Sequence, residues 1–151
     1  FYEYDPSKDT WQKLPDLPER KQTTGKIIEG ILYVFGGYNG SISFENIYAY
    51  DIKESTWTKV GELPFYLSAN AAVSDGRNIW LVGSYLDTYL LAAYDTKTNT
   101  VSKFDSNMIN RRHAGAQIMG GTLYIFGGNQ NANILSALSN TEYTDIANQK
   151  K

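Results

Sequence analysis

The chain has 151 residues, an ordinary length for one domain. Its 14 basic and 16 acidic side chains leave a net charge of −2, without the concentrated basic face with which nucleic-acid binders displace counterions. No Cys and a single His (His113) exclude disulfides, thiolate nucleophiles, Cys-ligated metals and His-rich metal sites, and no apolar run approaches the roughly 20 residues of a membrane-spanning helix.

Aromatic residues make up 14% of the chain, and 12 of them are Tyr, which favours strands and brings bulk with a polar tip. In chain order, Tyr2–Leu14 reads as two strands carrying Tyr4-Asp5 and Trp11, followed by Leu17-Pro18. A strand over 24–29 reaches a turn at Gly30, and the apolar run Leu32-Tyr33-Val34-Phe35 then ends in Gly36-Gly37. Asn46 to Tyr50 forms the next strand, with Asp51, then Trp57 and Leu63-Pro64. The pattern returns as Ile79-Trp80-Leu81-Val82-Gly83-Ser84, then Leu90 to Tyr94 with Asp95, then Val101 and Asn107-Met108. It returns again as 113–118, the turn at Gly120-Gly121, Leu123-Tyr124-Ile125-Phe126-Gly127-Gly128, and a strand over Leu138–Thr144. Asn133–Thr141 is the only stretch compatible with a helix, and its flanks favour a strand.

The central aromatic of the glycine-ended strand falls at 33, 80 and 124, and the Tyr-Asp pair at 4, 50 and 94. Two independent motifs therefore advance together at a period of 44 to 47 residues. Each unit reads as four short strands, with Trp, Tyr and Phe packing one sheet face against the next.

These units resemble kelch repeats, the four-stranded antiparallel blades of a β-propeller. The match rests on Gly36-Gly37 and Gly127-Gly128, the three Tyr-Asp pairs, and the Trp seven residues on at Trp11 and Trp57. The third unit departs from it, with Ser84 for the second glycine and Val101 for Trp, and is expected to pack less tightly. Trp11, Trp57 and Trp80 are expected in the core or as wedges between blades. The resemblance divides the chain into the end of a blade (1–18), complete blades over 19–64 and 65–108, and a blade lacking its last strand (109–151).

Kelch propellers usually close with five to seven blades, so about three blades imply an incomplete ring. The missing blades would come from the rest of a longer chain or from a second copy sharing one ring. The start at Phe1 and the incomplete first blade favour the longer chain. The start also leaves room for a removed leader. The Asn-, Lys- and Tyr-rich composition leans towards bacterial extracytoplasmic proteins, but the compartment is not readable.

In such a fold, function is expected in the loops at the strand ends. One set follows the glycines: Tyr38, Asn39 and Ser41; Tyr85 and Asp87; Asn129, Gln130 and Asn131. The other precedes each inner strand: Glu19, Arg20 and Lys21; Tyr66 and Ser68; Arg111, Arg112 and His113. The resemblance implies that Tyr38, Asn39, Tyr85, Asn129, Arg20, Arg111 and Arg112 line a ligand-facing mouth. Guanidinium groups beside Tyr hydroxyls and amides suit a protein or peptide ligand, acidic in character, or an acidic sugar. The structural alternative is that these arginines bond carbonyls at blade junctions. Asn39-Gly40-Ser41 is both a turn signal and a glycosylation sequon, with the turn the stronger reading. No cofactor is implied. The leading function is a non-catalytic binding module. The alternatives are a sugar epimerase resembling sialic-acid mutarotases, with acid/base groups such as His113 or Glu19 (Asp87 or Glu19 being the candidate partner of His113), and a purely structural or oligomerisation unit.

Overall fold

A computed structural model describes residues 1–130 and 138–146. Asn131 and most of the 133–141 stretch lie outside the described residues. The rest forms thirteen strands in four antiparallel sheets, with no α-helix among the described residues. The first sheet holds β1 (Tyr2–Asp5) and β2 (Thr10–Lys13). The second is a four-stranded meander of β3 (Gln22–Ile28), β4 (Ile31–Tyr38), β5 (Ser43–Asp51) and β6 (Thr56–Leu67). The third repeats it with β7 (Ala71–Ser74), β8 (Asn78–Val82), β9 (Leu91–Asp95) and β10 (Thr100–Lys103). The fourth has β11 (Gly115–Met119), β12 (Thr122–Phe126) and β13 (Thr141–Asp145). Four-stranded antiparallel sheets are the expected architecture, and β6 extends to Leu67.

The Tyr-Asp motif has a local cause. Asp5, Asp51 and Asp95 each end a strand, and one carboxylate oxygen accepts backbone N–H groups two or three residues on: Ser7, then Lys53 and Glu54, then Lys97 and Thr98. Each hairpin then passes through a left-handed residue, at Asp9, Ser55 and Asn99. The Tyr4 hydroxyl donates to Asp9 Oδ1 at 2.7 Å and the Tyr94 hydroxyl to Asn99 Oδ1 at 2.6 Å. Ser55 is too short for this, and the buried Tyr50 hydroxyl has no partner. Ser55→Asn is therefore expected to stabilise the protein by about 1 kcal/mol, through a new hydrogen bond and an easier left-handed backbone. Urea unfolding measures it; an equal gain in a Tyr50→Phe background would show that the hydroxyl plays no part.

Side-chain alternation along β8 explains the layering. Ile79 and Leu81 pack with Phe35, Ile47, Leu67 and Tyr94 between the second and third sheets. Trp80 and Val82 point the other way and pack with Phe104, Met108, Leu123 and Ile125 between the third and fourth. The Tyr94 ring lies 5.4 Å from Phe35 and 5.6 Å from Tyr33. Burial, with Tyr33 and Asp95 nearby, pushes the Tyr94 hydroxyl up to about 12.

One expectation is corrected here. The third sheet is not loosely packed: β8 and β9 are buried almost throughout. Trp80 stacks on Phe104 at 5.1 Å, and the Ser84 hydroxyl, fully buried, donates to the Ser68 carbonyl at 3.2 Å. Trp11 has no neighbouring sheet among the described residues to wedge against. It is 69% exposed and touches Tyr4, and no other sheet of the described residues covers that face of β1–β2. Trp57 does fill the wedge role, half-buried, with its indole N–H on the Pro15 carbonyl at 3.0 Å and its ring against Phe1 and Tyr50.

Glycines at the strand ends allow close backbone approaches within a sheet and between sheets. A Cβ on Gly36, at φ +50°, would lie 2.5 Å from the Leu67 carbonyl oxygen, at the end of β6 in the same sheet. Gly83, at φ +63°, lies under the Arg111 carbonyl, on the segment entering the fourth sheet. A side chain at Gly36 would push β4 from the end of β6, and one at Gly83 would force the third sheet from the segment entering the fourth.

Candidate functional site

At the end of the second and third sheets where the glycines lie, the loops enclose a cavity of about 740 Å³. The end of β4 brings Tyr38, the β4–β5 loop brings Ile42, and the end of β6 brings Tyr66 and Ser68. Tyr85 and Leu86 come from the β8–β9 loop, and His113 from the segment entering β11. Ala69 and His113 both have left-handed backbones (φ +56° and +54°), and the His113 N–H donates to the Ala69 carbonyl at 2.7 Å. That bond ties the entry of the third sheet to the entry of the fourth.

Of the seven residues expected at a mouth, Tyr38 and Tyr85 meet at this cavity. The Tyr38 hydroxyl donates to the Gly40 carbonyl at 2.7 Å. Asn39 makes the expected turn: its side-chain oxygen accepts the Ser41 and Ile42 N–H groups, both at 3.0 Å. Asn129 pairs its backbone with Arg112 through two 3.0 Å hydrogen bonds. None of Asn39, Asn129 and the three arginines lines the cavity.

The arginines have three different environments. Arg111 is fully buried. Its guanidinium donates to the Ile109 carbonyl (3.1 Å), to the Gly127 carbonyl (3.0 Å) and to the Glu142 carboxylate. Arg112 is 6% exposed and lies 4.1 Å from the centre of the Tyr85 ring, with its Nε unpartnered. Arg20 is exposed and has no hydrogen-bond or ion-pair partner among the described residues. Arg20 and Arg111 occupy equivalent places in the repeat, yet only Arg111 has a glycine-ended strand of the preceding sheet beneath it.

The neighbouring charges are also consumed internally. The Lys21 side chain is fully buried, with its ammonium 2.8 Å from Glu19 and 5.1 Å from the Phe44 and Tyr48 ring centres. Glu19 also accepts from the Asn46 amide at 2.6 Å. Burial first, and the Glu19 carboxylate second, hold the Tyr48 hydroxyl above the usual phenol range. Asp87 pairs with Lys103 at 2.7 Å. Neither carboxylate expected beside His113 lines the cavity, whereas His113 does. Among the described residues no group of three or more His, Asp or Glu is placed to hold a metal ion.

The motif reading missed Ile42, Leu86 and Ala69. A signal for the first two was present: each is an aliphatic residue set among loop formers, in Gly40-Ser41-Ile42-Ser43 and Tyr85-Leu86-Asp87.

Comparison with known proteins is consistent with this architecture. Residues 20–64 match the family model described as Kelch motif. The chain is 32% identical over 130 residues to Kelch-like protein 38 of Rattus norvegicus, covering 83% of this chain and 22% of that protein. It is 26% identical over 129 residues to Kelch-like protein 23 of Homo sapiens, covering 83% and 23%. It is 22% identical over 145 residues to Kelch-like protein 41a of Danio rerio, covering 91% and 24%. The chain thus spans about a quarter or less of the length of these relatives.

Proposed function

We propose that this chain, which belongs to the kelch-repeat family, is a non-catalytic binding module that recognises a partner protein or peptide at the loop-lined end of its blades. The observation that carries the reading is the convergence of Tyr38 and Tyr85, repeat-equivalent residues just beyond the glycine-ended strands, on one cavity. Half-exposed tyrosines on rigid strand ends give contact area at little entropic cost. A carboxylate on the partner would find its cation in Arg20, because the Arg111 guanidinium is already bonded within the fold. Within this reading the four sheets are blades over 1–18, 19–64, 65–108 and 109–151. The exposed Tyr4 and Trp11 at one end, and Phe126 and Tyr143 at the other, mark faces for further blades from a longer chain or a second copy.

Selection of peptides from a random displayed library on the immobilised chain tests the proposal. Tyr85→Ala is expected to weaken the selected peptides about tenfold or more, the cost of truncating an aromatic anchor. Arg20→Ala should weaken only the acidic ones, more at low salt than at high. Peptides indifferent to Tyr38→Ala and Tyr85→Ala, or mapping to the Tyr4 and Trp11 face, would overturn the assignment.

A further inference from the structure

We infer that the cavity between the second and third blades is an anchor pocket for one uncharged apolar side chain, aromatic or long aliphatic, on the partner peptide. The inference rests on the binding-module reading and names the chemistry of its ligand.

The first observation is the lining, which includes no Asp, Glu, Lys or Arg. Lys21 is paired with Glu19 and Arg111 with Glu142, and Arg112 lies beneath the Tyr85 ring, outside the lining. A carboxylate entering the cavity would lose its water and meet no free cation, whereas an apolar group loses nothing by desolvation.

The second observation is exposed apolar surface in one place. Ile42, Tyr66, Tyr85 and Leu86 are each more than half exposed, and all four border this cavity. Scattered apolar residues are ordinary on a surface, but a concave cluster with a few polar tips is the usual form of a recognition pocket. The Tyr66 and Tyr85 hydroxyls have no hydrogen-bond partner among the described residues, so they remain available to a peptide backbone crossing the rim. The volume suits a single large side chain with its flanking main chain.

The third observation is backbone strain. Ala69 and His113 border the cavity in left-handed conformations that glycine would adopt more easily. Strain of this kind concentrates where a fold must hold a binding surface in shape.

The test is a titration of ¹⁵N-labelled chain with N-acetyl-phenylalaninamide, and in parallel with the α-amide of N-acetyl-aspartic acid. The phenylalanine derivative is expected to saturate with a Kd on the order of 1 mM, as befits a small fragment, shifting the amides of Ala69, Tyr85, Leu86 and His113. Leu86→Ser and Tyr66→Ser, both at exposed positions, are expected to weaken it about fivefold or more while leaving the rest of the spectrum in place. The aspartate derivative should give no saturable shift at those amides. Absence of saturable binding by the phenylalanine derivative there, or equal binding by the aspartate derivative, overturns the inference. If library-selected peptides still bind through Tyr38 and Tyr85 but share no apolar residue, the anchor fails and the binding-module reading stands. If no peptide binds at this end, both fail.

Discussion

Gly83→Ala is expected to lower the unfolding free energy by about 3 kcal/mol or more. Two costs combine. Gly83 has φ +63°, where an L-residue is disfavoured by about 1–2 kcal/mol. Its Cβ would also strike the Arg111 carbonyl oxygen, a backbone atom that moves only if the third and fourth blades separate. Separation would loosen the layer in which Trp80 and Val82 pack on Leu123 and Ile125. Gly36→Ala should cost a similar amount, since its Cβ meets the Leu67 carbonyl at 2.5 Å, at the end of β6 within the second blade. Gly120→Ala is the control. It too has positive φ (+58°), but nothing lies within 4 Å of the added methyl group, so only the backbone cost of about 1 kcal/mol applies. Urea unfolding at constant m-value separates the cases. Equal losses at positions 83 and 120 would mean that the close approach between blades contributes nothing.

What could be read from the chain, and what could not, follows the range of the interactions involved. The Tyr-Asp pairs were legible because their cause is local: the aspartate caps the hairpin within three residues of itself. The glycine-ended strands were legible because a backbone approach that excludes Cβ leaves a glycine at each recurrence. Ser84 misled for a reason found only in space, since its hydroxyl bonds to Ser68, sixteen residues away, and the blade expected to be loose is tightly packed. A repeat position predicts the direction of the Trp11 side chain but not whether a neighbour among the described residues covers it. The arginines show the same limit. Equivalent spacing places Arg20 and Arg111 at the same end of their blades, but burial depends on the preceding sheet. Only Arg111 has its backbone against Gly83 and its head group between β12 and β13.

That difference leads to the second large effect. Arg111→Met is expected to destabilise the protein by about 3 kcal/mol, while leaving ligand affinity of the folded protein within about twofold. The guanidinium bonds the Ile109 and Gly127 carbonyls and the Glu142 carboxylate, and Glu142 in turn accepts the Ile109 N–H at 2.8 Å. The cluster thus ties the segment entering the fourth blade to two of its strands. Removing the cation strands a carboxylate whose side chain is only 24% exposed, and it leaves two carbonyls without their donor. Replacing both partners by apolar side chains removes the stranded charge, so Arg111→Met combined with Glu142→Leu should recover much of the loss. A double-mutant cycle in urea measures the coupling, expected at about 1.5–3 kcal/mol. Arg20→Ala supplies the contrast: an exposed cation without a partner should change stability by less than about 0.5 kcal/mol, and its substitution should weaken only acidic peptides. A stable Arg111→Met protein that no longer binds peptide would reverse the assignment, making Arg111 a ligand contact and its buried pair incidental. Loss of stability with binding retained would leave the mouth to the tyrosines and Arg20, with Arg111 holding the fourth blade in register behind them.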